Sequence, residues 1–345
     1  MKGRVVILDS INGRQAAALM VDGHLEELAI DPADDRPLPG ALYRAVADRP
    51  VKGQGGIFVR LPEGSGFLRQ ISGIAPGQRL LVQVSGPAEP GKAVPVSARL
   101  LFKSRFAILT PGAPGLNISR RIKDEGLRAA LAALAEEGMV GASPSLGLIL
   151  RSSTAEAEDQ AIAEDIAAMR GLAEAVLADL DGPPELLLDG PGAHDLAFRD
   201  WLDPPVDDMI TEEGGFEAEG VTDRIDGLCH PRVDLPDGGH MMIEPTRALV
   251  AVDVNTGPDT SPAASLKANI AVARDLPRQL RLRGLGGQVI VDFAPMPKRD
   301  RHILDQVLRA AFKADTEANL AGWTALGLFE LTRKRDRLPL AELLA

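Results

Sequence analysis

Two short apolar segments each run straight into an aspartate: Ala248-Leu-Val-Ala-Val-Asp253 and Gln288-Val-Ile-Val-Asp292, with a helical pattern over 264–283 between them. That order predicts a strand, a helical crossover and a second strand, so the two strands should run parallel and end at one edge. Open α/β sheets place their sites at that edge. Asn255 follows Asp253 at i+2, and residues two apart in a strand project from one face. Ionised carboxylates at the ends of apolar strands are costly unless they are paired or hold a cation. Two carboxylates and an amide suit Mg²⁺ or Mn²⁺ and suit zinc poorly. A cation held this way polarises phosphoryl oxygens and helps generate a hydroxide nucleophile. The pair therefore points to phosphodiester hydrolysis, while a strand-terminal aspartate that only caps a helix stays open as the simpler reading. Pro277 is expected to break or kink the intervening helix.

Charge limits the partners. The chain is −11 overall, which argues against a generally basic nucleic-acid binder, yet residues 278–345 hold 12 Lys/Arg against 8 Asp/Glu. A locally basic C-terminal segment on an acidic body permits one polyanion contact. Arg278, Arg281, Arg283, Lys298, Arg299 and Arg301 are candidates to hold a polyphosphate backbone, and a solvated helix face is the alternative. The one cysteine, Cys229, excludes an intrachain disulfide and a Cys-built zinc site. No apolar run reaches the roughly 20 residues of a membrane helix. The start, Met1-Lys2-Gly3-Arg4, has no secretory h-region, so a cytoplasmic protein is expected.

Residues 4–30 read as a meander with Asn12-Gly13 and Asp22-Gly23 turns, followed by a Pro/Asp-rich joint at 31–37. Leu42–Ala47, Gly56–Leu61, Gly66–Ile71, Leu80–Val84 and Ala93–Leu101 predict five strands of a small barrel. Such barrels often bind single-stranded nucleic acid on a face with exposed aromatics. Phe58 and Phe67, with Lys92 near in sequence, fit that role or fill the core. Residues 105–195 mix strands with helices. The strand Leu146–Leu150 ends at Arg151-Ser152-Ser153, where Ser153 and Glu156 predict a capping box for a long helix. A helix start beside Arg151 makes a natural phosphate pocket, or Ser153 merely caps. Ile303–Ala314 predicts a helix and Ala325–Leu331 a last strand.

Several stretches also resemble the catalytic core of the ribonuclease E/G family. They are Leu235-Pro-Asp-Gly-Gly239, Ala248–Thr256, and above all Arg278-Gln-Leu-Arg-Leu-Arg-Gly-Leu-Gly-Gly287 joined to Ile290-Val-Asp-Phe293. Gly66-Phe-Leu68, Gly115–Ile122 and Ala197-Phe-Arg-Asp-Trp201 match as well, in order along nearly the whole chain. The resemblance implies a multi-subdomain α/β (α+β) fold. Residues 1–38 and 196–232 would form an RNase H-like subdomain, and 39–104 an inserted S1 (OB-type) RNA-binding barrel. Residues 105–195 would be a 5′-phosphate sensor, and 233–345 a DNase I-like catalytic subdomain.

The implied activity is an Mg²⁺-dependent endoribonuclease acting on single-stranded, A/U-rich RNA in RNA processing or decay. It would leave 5′-phosphate and 3′-hydroxyl ends. By position, Asp253 and Asp292 would hold the metal and Asn255 would assist at the scissile phosphate. Arg151, Ser152 (where the family has threonine) and Arg120 would receive the 5′-phosphate. Phe58, Phe67, Lys92 and Arg121 would face RNA. The sequence shows no Cys-Pro-x-Cys zinc clip, so no zinc is expected, and the protein should act as a monomer or as a dimer not linked by zinc. The loop after Asn255 is short, and Pro295 stands where the family has a second acid. These departures motivate an alternative: a catalytically weak or inactive RNA-binding protein on the same scaffold.

Overall fold

The computed structural model describes residues 2–51, 55–69, 73–89, 91–236 and 238–345. Positions 70 and 71 of the expected third barrel strand, and Asp237 of the expected turn, lie outside them. The chain divides into two compact units, one of residues 20–28 and 211–345, the other of residues 2–19 and 29–210.

The chain opens with the expected meander, β1 (Arg4–Ile11), β2 (Arg14–Val21) and β3 (His24–Ile30). Asn12 and Asp22 take positive φ at the two turns, as Asn-Gly and Asp-Gly hairpins require. The barrel follows: β4 (Leu42–Val51), β5 (Gly56–Arg60), β6 (Ser65–Arg69), β7 (Arg79–Val84) and β8 (Val94–Ser97). The ladder β4-β5-β6-β8-β7 closes through β7–β4, which makes the five-stranded barrel expected from the spacing. Ile57, Val59, Leu68, Val82 and Val96 fill it.

Residues 102–178 form an α/β layer: β9 (Phe102–Lys103), β10 (Ala107–Pro111), β11 (Leu116–Ile118), α1 (Glu125–Gly138), β12 (Leu146–Leu150) and α2 (Asp159–Ala178). Ile162, Ile166, Ala173 and Val176 recur at helical spacing in α2 and are buried with Leu109, Leu148 and Leu150. The expected capping box does not form. Residues 152–156 are a 3₁₀ turn, and Ser153 Oγ donates to the Arg105 carbonyl at 2.6 Å. α2 starts only at Asp159, so Ser153 is spent on a long-range bond rather than on a helix start. Then come β13 (Glu185–Leu188), which pairs with β4, α3 (Ala193–Asp200), and β14 (Asp208–Ile210), which pairs parallel to β1.

The 211–345 unit holds α4 (Gly215–Ala218), α5 (Val221–Cys229), β15 (Arg232–Asp234), β16 (His240–Pro245), β17 (Leu249–Asn255), α6 (Pro262–Leu282), β18 (Gly287–Asp292), α7 (Arg301–Ala311), β19 (Ala318–Trp323), β20 (Phe329–Arg333) and α8 (Leu340–Leu343). Its sheet runs β15-β16-β17-β18-β20-β19. β17 and β18 are parallel, with α6 as the crossover between them. Pro277 does not end α6, which continues from Pro262 to Leu282 with Pro277 buried. Val272, Ala273, Leu276 and Leu280 bury an apolar face around it, and that packing outweighs the lost backbone bond. Ser261 caps the start, accepting from Ala264 N at 3.2 Å, and Pro262 sits in the first turn, where its missing N–H costs nothing. The last strand, expected at 325–331, is instead a hairpin: residues 324–328 turn between β19 and β20.

Candidate functional site

The register of β17 against β18 sets Val250 opposite Val289, Val252 opposite Val291, and Asp253 opposite Asp292. Neighbouring strands lie about 4.8 Å apart, so both carboxylates emerge side by side at the C-terminal edge. Both side chains are exposed, while Val252, Val254, Val291 and Phe293 on either side are buried. Asn255 Nδ2 donates to Asp253 Oδ2 at 2.6 Å. That bond fixes the amide and leaves Asp253 Oδ1 open. Asn255 pairs with His240 of β16, and a Cβ on Gly239, just before that strand, would come within 2.5 Å of the Asn255 carbonyl oxygen. Only glycine permits this approach.

Below this edge, Phe293 packs its ring 5.8 Å from Trp323 and 6.3 Å from Phe329. Asn269 of α6, fully buried, brackets Ala294 with two hydrogen bonds of 2.9 Å. Asn269 carried no sequence signal, because an asparagine inside a helix resembles a weak helix former. The donor set suits a hard divalent cation: two carboxylates and an amide, with no thiolate or imidazole. No third His, Cys, Asp or Glu joins the pair among the described residues.

The cations assigned to a polyphosphate separate into two sets. Arg278 bonds Asp275 at 2.7 Å and the Leu25 carbonyl at 2.8 Å. Arg281 pairs with Glu26 at 2.5 Å and Glu27 at 2.9 Å. Arg283 is buried against the carbonyls of Leu228 and His230. These three hold α6 to its neighbours, a correction to their reading as backbone-binding groups. The expectation failed because Glu26 and Glu27 lie about 250 positions away in sequence. Glu26 accordingly feels burial, which raises its pKa, more than the opposing charge of Arg281. The glycines that end the block are structural too. Gly284 has φ +63°, and a Cβ there would meet the Leu338 carbonyl oxygen at 2.0 Å. Lys298 and Arg299, by contrast, are exposed just past Asp292, and the Arg299 side chain lies 3.7 Å from Asp300. The Arg301 guanidinium sits 4.4 Å from the Trp323 ring centroid.

In the other unit the structure gathers Arg151, Ser152 and Arg121. Arg151 Nη2 bonds Asp200 Oδ1 at 2.7 Å, and its Nη1 donates to the carbonyls of Ser104 at 2.6 Å and Arg199 at 3.0 Å. Ser152 Oγ donates to Asp203 Oδ2. Arg121 Nη1 reaches Ser152 Oγ at 3.1 Å and Asp203 Oδ2 at 3.2 Å, with the side chain 65% exposed. So Arg121, rather than its neighbour Arg120, is the guanidinium against Ser152. Arg120 is exposed and makes no side-chain hydrogen bond among the described residues. Burial alone would raise the pKa of Asp200, but the hydrogen bonds and charges of Arg199 and Arg151 outweigh it and hold the carboxyl below its ordinary value.

On the barrel, Phe58 of β5 and Phe67 of β6 are cross-strand partners with ring centroids 5.3 Å apart. They alternate with the inward Ile57, Val59 and Leu68, so both rings lie on the outer face, half-buried. Arg49 stands 5.5 Å from the Phe58 ring centroid. Lys92 lies in the loop between β7 and β8, bonded to Glu89 at 2.5 Å.

The model of the ribonuclease E/G family matches residues 102–215 and 211–336. The chain belongs to the ribonuclease E/G family. It is 30% identical to ribonuclease E of Nostoc sp., over 95% of this chain and 56% of that protein. It is 29% identical to ribonuclease E of Synechocystis sp., over 99% of this chain and 58% of that protein. Against ribonuclease G of Escherichia coli it is 26% identical, over 96% of this chain and 80% of that protein. The chain therefore spans a little over half the length of these two ribonuclease E relatives. No helix among the described residues is long and apolar enough to cross a membrane.

Proposed function

We propose that this member of the ribonuclease E/G family is an endoribonuclease that hydrolyses single-stranded RNA. The reading rests on the side-by-side emergence of Asp253 and Asp292, with Asn255 bonded to the first. Two carboxylates at one strand edge would hold Mg²⁺, which supplies positive charge to the phosphoryl group and lowers the pKa of a bound water. Asn255 would orient Asp253 and donate to the scissile phosphate. Lys298 and Arg299, exposed after β18, would attract the RNA backbone. The barrel would carry the downstream strand, with Phe58 and Phe67 offering stacking faces. Arg121 and Ser152, beside Arg151, would receive a 5′-terminal phosphate in exchange for their bonds to Asp203. In this reading residues 39–104 act as the S1 barrel, 105–195 as the 5′ sensor, and 233–345 as the catalytic subdomain. Residues 1–38 with 196–232 form the RNase H-like support.

The test is cleavage of an A/U-rich oligoribonucleotide carrying a 5′-monophosphate or a 5′-hydroxyl. The expected result is internal cleavage in Mg²⁺, faster with the monophosphate, leaving 5′-phosphate and 3′-hydroxyl ends, and abolished by EDTA. Asp253→Asn and Asp292→Asn should each remove it. RNA binding without turnover, or equal cleavage by both variants, overturns the proposal.

A further inference from the structure

The 211–345 unit, with residues 20–28, contains a pocket of about 260 Å³ lined by Arg224, Arg232, Arg278, Arg283 and His24, and by no aspartate or glutamate. In a chain of net charge −11, a lining with four arginines and no carboxylate is unexpected on composition. The pairing of the four arginines makes it more so. Arg278 and Arg232 are neutralised by Asp275 and Asp234, at 2.7 and 2.8 Å. Arg224 and Arg283 have no carboxylate within ion-pair distance among the described residues. Arg224 meets only backbone carbonyls: Gly220 at 2.5 Å, Gly23 at 2.9 Å and Glu219 at 3.4 Å.

Arg283 is the more telling of the two, being only 7% exposed. A buried cation with no carboxylate at ion-pair distance is costly, and burial pulls its pKa below the ordinary arginine value by more than nearby Cys229 and Asp275 raise it. Its Nη1 donates to Leu228 O and His230 O, both at 2.7 Å, and its Nε to Gln279 Oε1 at 3.2 Å. The two carbonyl bonds explain Nη1, which closes the C-terminal end of α5. They leave Nη2, which makes no hydrogen bond among the described residues. Nor is it one of the fully buried atoms that lack a partner. Arg283 lines the pocket, and Nη2 is its one guanidinium nitrogen without a partner among the described residues.

We propose that this pocket binds the terminal phosphate of a small phosphorylated molecule, with Arg283 Nη2 and Arg224 as the principal donors. Guanidinium groups that lack a carboxylate partner match phosphate oxygens in charge and geometry. A terminal phosphate fits better than an internal phosphodiester. The pocket is only about 260 Å³ and Arg283 is nearly buried, whereas a phosphodiester would have to carry chain away on both sides. Leu25, Leu228 and Leu282 line the remainder, and no Phe, Tyr or Trp is present to stack a base. Inorganic phosphate and a phosphomonoester share the recognised group. The site is separate from Asp253 and Asp292 and does not depend on the nuclease reading.

The test is a thermal-shift and calorimetric titration of the full chain with inorganic phosphate and with glucose 6-phosphate, at ionic strength matched with chloride. Arg121→Ala serves as the background, so that any phosphate bound beside Ser152 does not contribute to the signal. Both ligands should raise Tm saturably, by about 4 °C at a hundredfold excess over Kd if the site forms only in the folded state. Arg224→Gln, on an exposed helix position, should weaken binding at least tenfold, and Arg283→Gln should abolish it if the variant folds. Tighter binding of glucose 6-phosphate identifies a metabolite as the ligand, and equal binding identifies phosphate itself; both uphold the site. The proposal is overturned if chloride alone reproduces the shift or Arg224→Gln keeps full affinity. It is also overturned if a 5′-hydroxyl oligoribonucleotide displaces phosphate at equal stoichiometry, which would make the pocket an RNA contact.

Discussion

The side-chain amide of Asn269 pairs with both backbone polar groups of Ala294: Nδ2 donates to the carbonyl at 2.9 Å, and Ala294 N donates to Oδ1 at 2.9 Å. Ala294 lies two residues past Asp292, so the crossover helix grips the chain where it leaves the edge that carries Asp253 and Asp292. Asn269→Ala would leave a buried N–H and a buried C=O unsatisfied. The expected loss is about 2–4 kcal/mol of stability, read as a lower urea midpoint. Cleavage kcat should fall while RNA affinity in EDTA stays unchanged, because the contact orients Asp292 and does not touch RNA. A variant as stable as the wild type would refute this role.

What the sequence disclosed here follows from the range of the interactions. The β17–α6–β18 unit was legible because two apolar runs ending in aspartate and a helical pattern between them are local signals. The barrel was legible from strand spacing, and Phe58 and Phe67 lie outward as strand alternation allows. The misreadings arose where distant partners decide. The Ser153–Glu156 pattern satisfies a capping box, but Ser153 is taken by the Arg105 carbonyl. Pro277 breaks a helix in isolation and is tolerated in a buried face. β19, interrupted by a register shift between Leu320 and Gly322, lacks the alternation that announces a strand. Asn269 was invisible because its partner lies 25 residues on.

The division of the arginines gives a second prediction. Lys298→Ala and Arg299→Ala should weaken RNA binding uniformly across sequences. Each should also reduce the slope of log K against log salt by about 0.7, the value for one single-strand phosphate contact. Arg281→Ala should leave that slope unchanged and lower thermal stability instead, since it strips two carboxylates, Glu26 and Glu27, of a common partner. Binding isotherms at several salt concentrations separate the outcomes. A salt slope that falls with Arg281→Ala and not with the other two would reverse the assignment.

The outward rings of the barrel yield a third. Phe58→Ala and Phe67→Ala should each cost about 1–3 kcal/mol of single-strand binding, with little dependence on base identity. The two losses should not add, because the rings touch at 5.3 Å. Melting temperatures should move little, since neither ring belongs to the barrel core. A large drop in Tm with intact RNA affinity would return both residues to a packing role.

Asp200 supplies a pH dependence whose sign follows from its partners. Hydrogen bonds and charges from Arg199 and Arg151 overcome the effect of burial and depress its folded pKa. A depressed carboxyl contributes stability above its unfolded pKa of about 3.9, and that contribution is lost as pH falls from there through the folded value. Asp200→Asn mimics the protonated acid. Wild type should therefore exceed the variant in stability at pH 7 and pH 5, with the gap closing as pH drops below about 4. The same substitution releases Arg151 from its only carboxylate at hydrogen-bond distance among the described residues, 2.7 Å away. At pH 7 the variant should accordingly show a lower KM for 5′-monophosphorylated RNA and an unchanged KM for the 5′-hydroxyl form. Urea titrations at three pH values and paired kinetics measure both effects. A stability gap that persists or widens on acidification would show that Asp200 acts through packing and not through its charge.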